Sequence, residues 1–134
     1  MNSFKLTVVT PDGEKFSSDA VSILLRGSEG DVQILANHAD YFTALGCGRT
    51  KITLPDGTVR IAAASGGFVS VCGGQVNVIA TTFEYAEEID IARARAAKER
   101  AEAIIASAKL DKETDVAKAK LRRALLRISV ADGK

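Results

Sequence analysis

Charged residues gather around position 90, where they could cap a helix or bind an anion. Asp90 stands three residues before Arg93, where the apolar pattern changes from a period of 2 to a period of 3.6. Arg123 and Arg127 lie four residues apart and would share one face of a second helix. Guanidinium groups that converge near a helix N-terminus can hold a polyphosphate, because their N–H groups match phosphate oxygens. Solvated caps and ion pairs explain the same residues, and the spacing alone favours that simpler interpretation.

The sequence contains no familiar enzyme motif. It lacks a GxxxxGK[ST] loop, a GxGxxG segment after a strand and an HExxH pair. His38 is the only histidine, so a metal site would lack its commonest ligand and a catalytic triad would need a residue from a polar turn. We therefore predict no catalytic residue and no metal site. Cys47 and Cys72 lack CxxC spacing and are interpreted as reduced, packed residues, with a disulfide or metal site as the alternative.

Residues 1–85 alternate apolar and polar side chains between glycines and prolines, a pattern typical of short strands. Two Pro-Asp-Gly segments, 11–13 and 55–57, predict turns because proline fixes φ and glycine accepts positive φ. Residues 27–31, GSEGD, predict a tight loop, since two acids would repel a phosphate. Nine or ten strands, with Val76–Ala80 as the last clear one, predict a compact sandwich or barrel.

Residues 86–134 predict two helices of similar length with a short link, which fold back as an antiparallel hairpin. Asp90 and Asp111 are the expected N-caps, and the chain is expected to fray from Ser129 to Lys134. The facing stripes are Ala94, Ala97, Ala101, Ile104 and Ala108 in the first helix and Ala117, Leu121, Ala124, Leu125 and Ile128 in the second. Alanine buries little apolar area, so we expect a hairpin within a few kcal/mol of an opened form.

Charge and hydropathy limit the partners. The net charge is +1 overall, −2 in residues 1–85 and +3 in residues 86–134, which argues against general affinity for nucleic acid. The start of the chain does not resemble a signal peptide, and no apolar run approaches the ~20 residues that span a bilayer. We expect a soluble protein that meets a membrane only through a partner.

Several short segments, in this order and spacing, resemble the epsilon subunit of bacterial F-type ATP synthases over the whole chain. They are Val9-Thr10-Pro11-Asp12-Gly13, Gly27-Ser28-Glu29-Gly30-Asp31, His38-Ala39, Thr43-Ala44-Leu45, Ser65-Gly66-Gly67-Phe68 and Glu87-Glu88-Ile89-Asp90. The resemblance implies an α+β chain: a ten-stranded antiparallel β-sandwich in residues 1–85, then an antiparallel two-helix hairpin in residues 86–134.

The resemblance also implies partners and a location. The family forms part of the central stalk, where the sandwich binds the gamma subunit and the ring of c subunits. Asp31 and His38 match the ring-contacting positions, although Asn37 and Asp40 depart from the family's usual Gly-His-Ala-Pro. The chain would be a non-catalytic, peripheral subunit at the cytoplasmic face of the bacterial membrane. The coupling ion, proton or sodium, is left open.

The resemblance further implies regulation by ATP, with no cofactor required. In bacterial members the hairpin can extend into the catalytic head of alpha and beta subunits, where it opposes ATP hydrolysis. Some members bind ATP through an [IL]DxxRA motif and arginines of the second helix. Ile89, Asp90, Arg93 and Ala94 match this motif. Arg123 and Arg127 match the arginine positions of the second helix, and Glu84 would contribute near the adenine of the bound ATP.

Two other functions remain open from the residues themselves. One is a stand-alone β-sandwich adaptor whose basic helical tail binds protein or nucleic acid, although few aromatic side chains are present to stack on bases. The other is an enzyme that uses His38.

Overall fold

A computed structural model describes residues 2–133; Met1 and Lys134, at the outer ends of the predicted ranges, lie outside it. The described chain forms two compact units, which divide after Tyr85. The first, the sheet unit, contains β1 (Phe4–Thr10), β2 (Gly13–Ala20), β3 (Ser22–Gly27), β4 (Gly30–Leu35), β5 (Tyr41–Ala44), β6 (Cys47–Thr53), β7 (Val59–Cys72) and β8 (Gln75–Tyr85). The second, the helical unit, contains a 3₁₀ turn (Ala86–Glu88), α1 (Ile91–Ser107) and α2 (Asp111–Ala131).

The strands form two layers, because the two longest strands pass through both of them. Residues 59–65 of β7 pair with β6, whereas residues 68–71 pair with β5. Residues 75–79 of β8 pair with β1, and residues 82–85 pair with the first half of β7. One layer therefore has the order β2-β1-β8-β7-β5, and the other has the order β8-β7-β6-β3-β4. The result is a β-sandwich.

The strand count and the strand directions differ from the expectation. Residues 2–133 contain eight strands rather than ten, because β7 and β8 are each one continuous strand that serves both layers. The sheet is also not purely antiparallel, since β1 and β8 pair in parallel. β8 continues to Tyr85, past the predicted end at Ala80, because its last residues pair with β7.

Both layers cross over at the glycine pair that the sequence marks as a corner. Gly66 and Gly67 have φ values of +73° and +93°, which few other residues adopt. A Cβ atom on Gly67 would overlap the backbone carbonyl oxygen of Ile79 on the neighbouring strand. The close approach of β7 and β8 therefore requires glycine at position 67.

Aliphatic side chains from both layers fill the core of the sandwich. The largest fully buried ones are Leu6, Val8, Ile23, Leu25, Ile34, Ile52, Val69, Val76 and Val78. Phe83 and Tyr85 lie opposite Ala64 and Ala62, and the small alanines leave room for the aromatic rings, which meet edge to face at 5.2 Å. The Tyr85 hydroxyl donates to the backbone carbonyl of Lys15 at 2.7 Å and so ties the end of β8 to β2 in the other layer.

One of the three predicted helix boundaries is confirmed, and the other two predictions are wrong. Asp90 caps α1 as expected, because its Oδ1 accepts the backbone N–H of Arg93 at 3.1 Å. Asp111 is not the cap of α2; Leu110 holds that position without a side-chain bond, and Asp111 lies in the first turn. The chain also does not fray from Ser129, since α2 continues to Ala131 and ends with the N–H of Asp132 donating to the Ile128 carbonyl.

The helices pack through a narrow seam of alanines. Ala94 and Ala101 of α1 and Ala117 and Ala124 of α2 are buried, each pair being spaced by seven residues. Two larger side chains predicted for the stripes, Ile104 and Leu125, are instead exposed, whereas Leu121 and Ile128 are half-buried. Val130, outside the predicted stripes, is fully buried. Within residues 2–133, neither helix combines the length and the apolar character that crossing a membrane requires.

Candidate functional site

The motif residues at the start of α1 differ in how far their side chains are buried. Ala94 is buried and Ile89 is half-buried, so both contribute to packing. Asp90 and Arg93 are exposed, with one carboxylate oxygen of Asp90 accepting the N–H of Arg93. The cap leaves the start of the helix ordered, and its N–H groups and dipole favour a negative charge nearby.

The two arginines of α2 lie toward the same end of the hairpin. The link between the helices spans only residues 108–110, and α2 packs against α1 and against the 3₁₀ turn that precedes α1. The C-terminal half of α2 therefore returns beside the start of α1. Arg123 and Arg127 are half-buried there, on either side of the fully buried Ala124.

The remaining predicted nucleotide residue belongs to the sheet unit. Glu84 lies in β8, half-buried and opposite Ala63 of β7. The structure thus gathers six of the seven predicted residues in the helical unit and places the seventh on the outer face of a strand.

The two predicted ring-contact residues lie at different ends of β4. Asp31 is the second residue of the strand, and its Oδ1 accepts a bond from Nη1 of Arg26 at 3.2 Å, with both side chains more than half exposed. His38 lies in the turn after Leu35, where its Nδ1 bonds to the Ala39 carbonyl at 2.7 Å. Residues 31 and 35 are roughly 13 Å apart along a strand, so these side chains do not form one cluster.

Asp40 and Asn37, the departures from the family pattern, have local roles in this turn. Asn37 adopts a φ of +67°, which asparagine tolerates better than most residues. Asp40 accepts the N–H of Gly73 at 3.1 Å through Oδ1 and thereby links the β4–β5 turn to the β7–β8 turn. The His38 ring contacts the ring of Tyr41, with 5.7 Å between centroids.

A row of exposed apolar side chains crosses four strands of one layer. Val9 of β1 is opposite Ile79 of β8, which is opposite Phe68 of β7, and the Phe68 ring lies 5.3 Å from the ring of Phe42 on β5. Between 37% and 65% of each of these residues is exposed. We call these four residues the apolar row; a contiguous patch of this kind marks a protein-interaction surface.

The apolar row was not predicted, although the sequence contains a signal for it. Val8-Val9 and Val78-Ile79 are consecutive apolar residues, and consecutive strand residues point to opposite faces. One member of each pair must therefore leave the core.

Among residues 2–133, no three His, Cys, Asp or Glu side chains are grouped as metal ligands would be. Cys47 and Cys72 both have free thiols. Cys47 is half-buried, but Cys72 is exposed at the end of β7, so its interpretation as a packed residue is wrong.

Comparisons with known proteins agree along the whole chain. Residues 3–86 match the family model "ATP synthase, Delta/Epsilon chain, beta-sandwich domain", and residues 87–132 match "ATP synthase, Delta/Epsilon chain, long alpha-helix domain". The ATP synthase epsilon chain of Ruminococcus albus is 39% identical over the full length of both chains. That of Dehalococcoides mccartyi is 42% identical, with 98% of this chain and 94% of the relative covered.

Solved structures share the fold. A chain in the Euglena gracilis mitochondrial ATP synthase (OSCP/F1/c-ring) superposes with a TM-score of 0.79 at 24% identity, covering 90% of this chain and 76% of the other. A chain in the central stalk/c-ring of the Tetrahymena thermophila mitochondrial ATP synthase gives a TM-score of 0.63 at 16% identity, covering 95% of both. With two family models that together span nearly all of its residues, and with relatives of matching length, the chain belongs to the ATP synthase epsilon chain family.

Proposed function

We propose that this chain is a non-catalytic subunit in the central stalk of an F-type ATP synthase that translocates protons or sodium ions. The sheet unit joins the rotor, and the helical unit regulates ATP hydrolysis, while catalysis belongs to other subunits at the cytoplasmic face of the membrane. The apolar row carries this proposal, because it gives the sheet unit a surface suited to a permanent partner in a family of ATP synthase subunits. A stand-alone adaptor or an enzyme using His38 is not favoured, since the two family models together match residues 3–132.

The apolar row is the surface that we assign to the gamma subunit. Its two phenylalanines are aromatic anchors of the kind that dominate binding energy in protein interfaces. The ring of c subunits would meet Asp31 and His38. Because these residues lie at different ends of β4, that contact would extend along the strand rather than centre on one loop.

ATP is the regulatory ligand that we assign to the helical unit. Its phosphates would meet Arg93 beside the N-terminus of α1 and Arg123 and Arg127 on α2, and so bridge the two helices. Ile89 and Ala94 would pack beneath, and Glu84 would approach the adenine side. A ligand that binds only the closed hairpin raises the population of that state, so falling ATP would release the helices toward the acidic surfaces of the alpha and beta subunits.

Binding of the full chain to an isolated gamma subunit tests the docking surface. Phe42→Ser and Phe68→Ser should each weaken binding about tenfold or more, because they remove aromatic anchors. Leu110→Ser is the matched control, since Leu110 is equally apolar and exposed but lies in the helical unit. Wild-type affinity in both phenylalanine variants would refute the assignment.

Calorimetric titration with ATP tests the nucleotide site. Asp90→Ala would remove the helix cap, at a cost of about 1 kcal/mol, as well as the carboxylate. Asp90→Asn keeps a good cap and changes only the charge, so comparing the two variants separates helix stability from ligand contact. Arg123→Ala should weaken binding, whereas the exposed neighbour Arg122→Ala should not. Unchanged affinity in Arg123→Ala and in both Asp90 variants would rule out the site.

A further inference from the structure

A basic groove of about 650 Å³ lies on the sheet unit, over β3, β6 and β7. Three cations, Arg26, Arg49 and Lys51, line it against one acid, Asp31. Arg49 and Lys51 alternate along β6 with the buried Thr50, which places both of them on the outer face of the sandwich. Asp31 is paired with Arg26, and the exposed Lys51 leaves the groove with an excess of positive charge, which favours a negatively charged ligand.

The wall of the groove is apolar as well as basic. Lys51 lies between Leu24 of β3 and Ile61 of β7 in the strand register, and Val59 extends the same face. A free phosphate would make no use of these side chains. A peptide would, because every second residue of an extended chain points to the same side, so that acidic and apolar side chains can meet the groove together.

One cation of the groove is held in place by the backbone beneath it. A Cβ atom on Gly48 would overlap Cβ and Cγ of Arg26, so the side chain of Arg26 lies directly across this glycine. Its guanidinium donates one bond to Asp31 at 3.2 Å and has further N–H donors to offer. Holding the arginine before binding lowers the entropy lost on binding.

We infer that the groove binds an extended, acidic segment of a partner protein, whose carboxylates meet Arg26 and Lys51 while its apolar side chains rest on Leu24 and Ile61. The excess of cations and the apolar wall carry this inference. The groove shares no residue with the apolar row or the nucleotide residues, and it shares only Asp31 with the proposed ring contact, so the variants below leave both ring-contact residues unchanged.

Fluorescence anisotropy with the full chain and a labelled peptide that repeats Glu-Ser-Leu-Ser tests the inference, because Glu and Leu then fall on the same side of an extended chain. The peptide should bind, binding should weaken as salt is raised, and the same repeat with Gln in place of Glu should not bind. Lys51→Glu should weaken binding about tenfold, because one attraction becomes a repulsion. Lys5→Glu, an exposed lysine of β1 outside the groove, is the matched control and should bind like the wild type.

Gly48→Ala provides a second variant, whose charge is unchanged. It should displace Arg26 and weaken peptide binding severalfold, while a thermal unfolding scan reports whether the sandwich remains folded. If Gly48→Ala does not fold, Lys51→Gln replaces it, with a smaller expected loss. Equal peptide binding by the wild type, Lys51→Glu and Lys51→Gln would overturn the inference. So would binding to phosphatidylglycerol vesicles without binding to the peptide, because the ligand would then be a membrane surface.

Discussion

Replacing Ala124 by leucine should open the helical hairpin without disturbing the sandwich. Ala124 is fully buried, and the other alanines of the seam, Ala94, Ala101 and Ala117, are buried as well. Leucine adds three carbon atoms at this fully buried position. The helices would have to move apart or the side chain would have to adopt a strained rotamer.

The expected size of this effect follows from the packing. Overfilling a well-packed site costs about 1–3 kcal/mol. A free-energy change of that size lowers the ratio of closed to open hairpin roughly 5- to 150-fold. The helices have 17 and 21 residues, only a little above the ~12–15 at which isolated helices are marginal in water. Little else in the hairpin can therefore compensate for a damaged seam.

Native-state hydrogen exchange measures the change directly. Amides of α1 and α2 should exchange faster in Ala124→Leu by the factor given above, while amides of the sheet unit should keep their protection. Ala103→Leu, at an exposed position of α1, adds the same atoms outside the seam and should leave exchange unchanged. Equal protection of the helix amides from exchange in the wild type and in Ala124→Leu would refute the reasoning, because it would mean that the seam accommodates a leucine.

Two further predictions concern the sheet unit. Gly67→Ala should destabilise the sandwich by roughly 3 kcal/mol, since φ is +93° and the new Cβ atom meets the Ile79 carbonyl. Gly57→Ala is the control, because Gly57 also has a positive φ but open space around it. Urea unfolding should show a smaller loss of stability for Gly57→Ala than for Gly67→Ala. The Thr58 backbone N–H donates to Asp56 Oδ1 at 2.8 Å and holds the pKa of that carboxyl below its ordinary value. The bond therefore stabilises the turn above the carboxyl's unfolded pKa and is lost as the pH falls through the lower folded value; an NMR titration giving equal pKa values for folded and denatured chains would contradict this.

Features set by local chemistry could be predicted from the sequence. Asp90 was identifiable as a helix cap because a carboxylate at that position satisfies N–H groups that no helical carbonyl can reach. The Pro-Asp-Gly segments mark turns for a similar reason: Gly13 and Gly57 both have positive φ. Leu110 at the second cap was not predictable, because its backbone conformation, rather than its side chain, ends the link.

Features set by distant partners could not be read from the pattern. β7 continues through Gly66 and Gly67 because each half pairs with a different strand, whereas two glycines in sequence predict a break. The candidate site shows the same limit. The spacing of Asp90 and Arg93 was visible in the sequence, but the Arg26–Gly48 contact joins residues on two strands whose register only the fold determines.

The contrast between the two units follows from what each one buries, and it explains why regulation would belong to the helices. The sheet unit buries a core of leucine, isoleucine and valine, and the far end of β8 is anchored by the bond from Tyr85 to Lys15. The fully buried residues of the helical unit are four alanines and Val130, a much smaller apolar core. Since stabilisation by burial scales with apolar area, the helices can separate at a cost that leaves the sandwich folded. An opening confined to residues beyond Tyr85 would change the helical unit alone and leave the apolar row of the sheet unit as it is.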